Sequence, residues 1–509
     1  MKINFILEKQ LDEEIRRIKN PKKIRNLTSL QHKIDRLHKQ ILNDANKVDD
    51  RLKWIFFPNN LDLNQIKDMK RIVKKLLAKK ITTLVVIASP KIYLGIKAAV
   101  DFINTNELTS NKKFMEVIFI ENSLSSVELT QKLNYVRSKN FAINIISTSD
   151  VDFEAQLVFR FFKDLLYRQF GDDISERVFI TAPITQQGIW TQIANFNNFK
   201  IFVAPANVGE KFAIFSLLSF FPMLCAGIDL KKLIYGATQA NRTFSQPDVR
   251  INQAYQYAAA RYVLFKKRNI PMEFLISFDH SFASFNSWWK FLFSTSELVL
   301  ENLDDTNQNY IEVIDEVEEI QKLEEPPQDD DQETEDNEEE NNIDFDEMNF
   351  ERKELKTTGI FPNSAVFSTD IHTLGQFIQS GSKIFFETLV FVKEPAYDIL
   401  IAEENKSLFR KDLLDKYAQK TVHEINKASF FATIDSHSIS GNIAQLVMKL
   451  EDHSAETFGW LVMFFQRAYI MYAYLLGVDV FDETGIEIIN SNFWNILNKK
   501  LSNDSTAKN

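Results

Sequence analysis

At 509 residues, with 45% apolar and 26% charged side chains, the chain is long enough to bury a large core in two to four domains. One cysteine, Cys225, excludes an internal disulfide framework and fits a reducing cytosol, and only 13 glycines leave little material for phosphate-cradling loops. The formal net charge of −10 conceals two opposed blocks: residues 1–80 hold 21 bases against 10 acids, whereas residues 301–350 hold 22 acids and one Lys.

Residues 1–80 read as basic helices, with apolar positions three and four apart in LTSLQHKIDRLHKQIL (27–42) and NQIKDMKRIVKKLL (64–77). Met1–Ile6 runs straight into charged residues, so no signal peptide is expected. The bases are interspersed with acids and lack interleaved aromatics or a zinc motif. A solvated face or a contact with an acidic protein is expected there rather than nucleic acid. From Ile81 the pattern changes to short apolar runs with helical stretches between them: ITTLVVIAS (81–89), MEVIFIE (115–121), FAINIIST (141–148), RVFITAP (177–183) and KIFVAP (200–205). Such spacing predicts βαβ units and a parallel sheet. FAIFSLLSFFPMLCAGI (212–228) carries no charge, but it is short for a membrane span and contains Pro222, so it reads as a buried core helix. A second series of strands is predicted at PMEFLISF (271–278), FETLVFV (386–392) and SFFATID (429–435).

Residues 301–356 include EEPPQDDDQETEDNEEENN (324–342), whose like charges cannot offset the entropy of ordering, so disorder is expected there. The flanks 309–323 and 343–350 carry apolar residues suited to docking on a basic partner surface; a merely solvated loop is the alternative. The expected organisation is an N-terminal helical region (1–80), a first α/β subdomain (81–235), a second built from 236–300 and 357–500, the acidic insertion (301–356) and a flexible tail (501–509).

The strings LKWIFFP (52–58), YLGIKAA (93–99), NQAYQYAAARYVLF (252–265), SWWKFLF (287–293), TDIHTLGQFIQSG (369–381) and YLLGVDVFDETGIE (474–487) carry a resemblance. The chain is similar to the glucose-6-phosphate isomerase family of the compact bacterial type, in the family's order and spacing outside residues 301–356. The resemblance implies an α/β fold of two parallel-sheet sugar-isomerase-type subdomains with helices on both faces, assembled as a homodimer. It implies no metal and no cofactor.

The resemblance also locates the family's working parts. Aldose–ketose isomerisation needs a base that carries a proton between C1 and C2, groups that open the ring, a cation beside the oxyanion and a phosphate cradle. The family's base Glu, just after the W-W-K-x-L-F helix, falls on Thr295, and Glu297 two positions on points elsewhere on a helix. The ring-opening His of H-x-L-G-Q falls on His372. The family's Lys falls on Asn490, and the Gln of F-D-Q-P-G falls on Glu483. The enediolate-stabilising Arg of G-G-R falls on Lys211, with Glu210 in place of a Gly. The phosphate loop S-G-T-T-T falls on Ser149, Asp150, Val151, Asp152 and Phe153. The glycine-rich turn G-I-G-G-S falls on Ala88, Ser89, Pro90, Lys91 and Ile92. Two acids in a phosphate cradle repel a dianion by roughly 4 kcal/mol per charge pair at 4 Å and an effective dielectric of 20.

Base, Lys, Arg, Gln and both loops have changed together, while the scaffold strings persist. The expectation from these positions is a non-catalytic member, a scaffolding subunit of a larger cytoplasmic assembly of cytoskeletal, motility or ATPase-associated type. Its expected partners are other proteins of that assembly and a second copy through the family interface, with no membrane span. The alternative is a residually active glucose-6-phosphate isomerase or a phosphosugar-binding protein.

Overall fold

A computed structural model describes residues 29–59, 61–103, 114–120, 124–149, 152–185, 188–206, 208–294, 359–403 and 414–506, together with Leu27. The chain divides into two units, one of residues 1–295 and 359–481, the other of residues 296–358 and 482–509.

The first unit opens with α1 (Gln31–Lys47) and α2 (Leu63–Ala78), as the periodicity predicts. Each buries one stripe, Ile34, Leu37 and Ile41 in α1 and Ile66, Met69 and Val73 in α2, and the bases of α2 are exposed, whereas Lys33 of α1 donates to the Leu475 carbonyl at 3.0 Å. The Asp62 carboxylate caps α2 by accepting the N–H groups of Asn64 and Gln65.

The first sheet holds β1 (Thr83–Ala88), β2 (Glu116–Ile120), β3 (Phe141–Ile146), β4 (Val178–Ala182) and β5 (Lys200–Val203), all parallel in the order β2-β1-β3-β4-β5. Its inner strands are buried on both faces, which is why each reads as an unbroken apolar run. Side chains alternate between two cores. Leu84, Val86 and Ala88 join the largest buried cluster, whereas Val85 and Ile87 pack with Phe159 and Phe162 of α5 (Phe153–Phe170) and Trp190 of α6 (Ile189–Asn197). Between β1 and β2 runs α3 (Pro90–Ile103), and between β2 and β3 runs α4 (Ser126–Val136).

The apolar stretch 212–228 is buried, as expected, but not as one helix: a 3₁₀ turn at Glu210–Phe215 precedes α7 (Leu217–Cys225), which contains Pro222. Among the described residues no helix is long and apolar enough to cross a membrane. After α8 (Leu230–Thr243) and α9 (Gln253–Arg268) comes the second sheet: β6 (Met272–Ser277), β7 (Phe361–Val366), β8 (Phe385–Glu394) and β9 (Gln445–Asp452), parallel in the order β7-β6-β8-β9. It carries α10 (Ala283–Phe293), α11 (Ile371–Ser380), α12 (Val422–Asp435) and α13 (Ala455–Leu476). Leu275, Phe386, Val390 and Met448 join the same large core as β1, and Ile276, Leu389 and Val447 face a separate cluster with Phe430 of α12.

SFFATID (429–435) is helix rather than strand. Thr421 and Glu424 form a reciprocal capping box that starts α12, and the helix runs through Asp435. The strand expected there is supplied by β9, and β7 is an edge strand that tolerates Pro362. The second unit contributes α14 (Thr484–Thr506). The acidic insertion and its two flanking motifs lie outside the described residues.

Two buried histidines make the fold pH-sensitive. His38 Nδ1 lies 2.7 Å from the Tyr255 hydroxyl, and burial, then the Arg467 charge, push its pKa down. Burial likewise pushes His453 down, against Asp279 and Asp452. A depressed folded-state pKa makes stability complete above the unfolded histidine value of about 6.5, with loss as pH falls through that value. The unfolding free energy from urea titration should therefore drop between about pH 6.5 and 5, by at most roughly 1.4 kcal/mol per group per pH unit, and H38Q should flatten the profile. The depressed carboxylates Asp49 and Asp68, each held down chiefly by hydrogen bonds from basic side chains, act only at lower pH.

Candidate active site

In an open parallel sheet, ligands bind beyond the carboxyl ends of the strands where the strand order reverses. In the first sheet that point lies between β1 and β3, and the loops that leave these strands build two of its walls.

After β1, the Ser89 hydroxyl oxygen accepts the Lys91 N–H at 3.3 Å, and Pro90 opens α3, where an absent N–H costs nothing. Ile92 turns inward and is buried. After β3, the Ser147 hydroxyl donates to the Ser149 carbonyl at 2.9 Å and to Asp152 Oδ2 at 3.3 Å. The other Asp152 oxygen accepts the Ala155 N–H at 3.0 Å and so caps α5. Burial pushes the Asp152 carboxyl up, against those two hydrogen bonds, and Glu154 is raised by burial and by Asp152. Phe153 is the exposed first residue of α5.

The third wall is the turn after β5. Glu210 Oε1 accepts the Thr148 hydroxyl at 2.6 Å, and its Oε2 lies 3.5 Å from Lys91 Nζ. Lys211 is buried; its ammonium donates to the Tyr469 hydroxyl at 3.2 Å, which donates in turn to the Val480 carbonyl. A neighbouring ring stack, Trp54 on Phe212 with centroids 4.6 Å apart, fixes the turn that carries both residues.

The second sheet has its own reversal, at β6, where Asp279, Ser281 and His453 gather. His453 Nδ1 accepts the Ala396 N–H at 3.3 Å, so the ring proton resides on Nε2, which faces Ser281 Oγ at 3.3 Å and Asp279 Oδ2 at 3.5 Å. With hydroxyl and carboxylate on the same protonated nitrogen, the ring cannot take a proton from Ser281, and the cluster ties two loops together rather than activating a nucleophile.

The residues singled out in the sequence are distributed as follows. Lys211, Ser149, Asp152, Phe153 and Ala88–Ile92 gather at the first crevice. His372 stands exposed on the first turn of α11. Glu483 and Asn490 belong to the second unit, Asn490 exposed on α14. Thr295, Asp150 and Val151 lie outside the described residues. Thr148 escaped notice in the sequence, because a hydroxyl at the end of a strand carries no signal until Glu210 is seen to accept from it.

Two parallel sheets, each with its crevice at the reversal of strand order and helices on both faces, define an α/β protein of the sugar-isomerase type. A hypothetical protein of Thermus thermophilus shares this fold, with a TM-score of 0.72 at 18% identity over 92% of this chain and 96% of its own. So does a glucose-6-phosphate isomerase of Chlamydia trachomatis, with a TM-score of 0.62 at 13% identity over 86% and 73% of the two chains. No family model matches the chain. In sequence it is 38% identical over 460 residues to the glucose-6-phosphate isomerase of Mesomycoplasma hyopneumoniae (strain 7448), covering 90% of this chain and 92% of that one. It is 36% identical over 449 residues to that of Mycoplasmopsis pulmonis, covering 88% and 90%, and 30% identical over 488 residues to that of Listeria monocytogenes, covering 95% of both. The chain belongs to the glucose-6-phosphate isomerase family.

These relatives overturn the expectation of a catalytically dead scaffold. Proteins alike over about nine tenths of both chains carry the name of an enzyme, and none of the three is named for a structural, cytoskeletal or motility role. The expectation had weighed the joint change of base, Lys, Arg, Gln and both loops above the likeness of the rest of the chain. In the structure, Lys91 and Glu210 pair with each other and Asp152 caps a helix, so these charged groups have partners within the fold.

Proposed function

We propose that the chain interconverts glucose 6-phosphate and fructose 6-phosphate through an enediolate. The observation that supports this reading is identity of 30–38% to proteins named glucose-6-phosphate isomerase along 88–95% of this chain. Lys211 supplies the cation beside the developing oxyanion, its ammonium held in a buried position by Tyr469. His372, exposed on α11, opens the sugar ring in the site of a second copy, so the working form is a homodimer in the cytoplasm. Proton transfer between C1 and C2 needs a carboxylate, which Thr295 lacks. The candidate we assign to it is Glu210 on the crevice wall, with Glu297, which lies outside the described residues, as the alternative. The E210Q and E297Q variants separate them.

Full-length protein from a host lacking its own isomerase should generate NADPH from fructose 6-phosphate when coupled to glucose 6-phosphate dehydrogenase. No NADPH above the blank, with the chain folded, would reject the reading.

A further inference from the structure

At the amino ends of β4 and β5, the end of the first sheet away from the crevice, the surface holds a cavity of about 460 Å³. Ile72 of α2, Phe179 of β4 and Phe199 give it an apolar floor. Its rim is cationic: Arg71 and Lys75 of α2 and Lys200 of β5 stand on it, and the exposed Asn195 and Asn198, at and just after the end of α6, add two carboxamides. These three cations have partners. Asp68 takes both Arg71, at 2.6 Å, and Lys200, at 2.7 Å, and Glu176 takes Lys75 at 3.0 Å. Exposed pairs of this kind are weak and exchange partners readily. The cationic charge extends beyond the rim, because α2 holds five bases against one acid. Lys67, Lys70 and Lys74 are exposed and make no ion pair among the described residues. Their spacing places them on the solvent face of α2, next to Arg71 and Lys75.

An apolar hollow edged by excess cations suits a peptide that interleaves acids with aromatic rings: the rings leave water in the hollow and the carboxylates meet the rim. Such a string stands in this chain, outside the described residues. IDFDEMNF (343–350) brings Asp344, Asp346 and Glu347, the rings of Phe345 and Phe350, and no base. It ends the stretch 301–350, whose 22 acids and one Lys are the charge complement of α2. Only residues 351–360 separate it from β7 of the second sheet, whereas the cavity belongs to the first, so its source is assigned to another copy. We propose that the cavity and the cationic face of α2 form a docking site for residues 343–350 of a second copy of this chain. The rings enter the hollow, and the carboxylates take over Arg71 and Lys75 from Asp68 and Glu176. Asn195 and Asn198 bond the peptide groups of the docked segment, and Lys67, Lys70 and Lys74 draw in the acids that precede it. The contact joins copies at the end of the sheet opposite the crevice and does not depend on isomerase activity.

The test is fluorescence anisotropy of a labelled peptide of residues 343–350, titrated with full-length chain carrying F345A and F350A so that its own segment does not compete. The peptide should bind, and a peptide with both Phe residues replaced by Ala should bind at least about tenfold more weakly. R71M with K75M in the full chain should weaken binding about tenfold, and raising the salt to about 0.5 M should weaken it as well. A peptide of the same composition in scrambled order that binds equally would show unspecific charge attraction and overturn the site. So would a single-stranded RNA of equal length that binds this face more tightly at the same salt, which would assign it to nucleic acid. Light scattering tests the source of the segment. At low salt the parent should have a higher average mass than the F345A–F350A chain, with the excess lost on dilution and on adding salt. Equal masses at every concentration would overturn docking between copies.

Discussion

Arg261→Ala should lower the unfolding free energy by about 3–5 kcal/mol. Arg261 of α9 is fully buried and forms an ion pair with the equally buried Glu273 of β6. Its guanidinium lies 4.2 Å from the Phe293 ring centroid and 4.6 Å from that of Tyr472, so rings of α10 and α13 enclose it. Glu273 also accepts the hydroxyls of Tyr257 and Thr388, each at 2.5 Å. Truncating the arginine leaves that carboxylate in the interior with two neutral donors and no countercharge, and it must either keep an unpaired charge or take up a proton. Replacing both partners with apolar side chains, R261M with E273L, should restore most of the loss, since desolvation of two ions is then avoided. Urea denaturation of the three proteins measures this. A loss below about 1 kcal/mol for R261A would mean that the pair does not hold α9 to the second sheet.

Gly459→Ala should cost about 3 kcal/mol, at the upper end for an overpacked contact, because the obstacle is backbone rather than side chain. A Cβ at Gly459 of α13 would lie 2.1 Å from the Leu233 carbonyl oxygen of α8, and a Cβ at Gly236 of α8 would lie 2.0 Å from the Glu456 carbonyl oxygen of α13. The two helices thus cross with each glycine against the other's backbone, closer than any side chain allows. A methyl at either position forces them apart and disturbs the buried stripe of α13 that fills the central core. G236A with G459A should cost less than the sum of the single changes, since one separation relieves both clashes. Thermal melts of the singles and the double check this; additive losses would mean that the helices respond independently.

The fold was legible wherever burial writes itself into composition. Strands β1, β3 and β4 are buried on both faces and stand out as apolar runs. Strand β7 is an edge whose Pro, Asn and Ser residues carry no strand signal, and β9 alternates apolar residues with Lys449 and Glu451 too briefly to be distinguished from a helix end. The Phe430–Phe431 run misled because its helix is decided at Thr421 and Glu424, well upstream. At the site, motif order located both crevice loops, and the exchange of Gly for Glu210 was visible. What the sequence did not carry was that Glu210 and Lys91 answer one another across the crevice, a relation that exists only once β1 and β5 stand in one sheet. The joint change of base, Lys, Arg, Gln and both loops was weighed above likeness along about nine tenths of the chain, and the conclusion of lost chemistry drawn from it is the one the relatives overturn.

The most direct measurement of the central claim is solvent hydrogen exchange at the sugar. Enediolate chemistry exposes the proton carried between C1 and C2 to the medium, so fructose 6-phosphate incubated with the full chain in D₂O should acquire deuterium at C1 and yield glucose 6-phosphate bearing deuterium at C2. Both should appear in the proton spectrum, and K211M, which removes the cation beside the oxyanion, should slow them at least tenfold. Fructose 6-phosphate that keeps its full complement of carbon-bound protons, over times in which a relative of the family reaches equilibrium, would contradict the assignment.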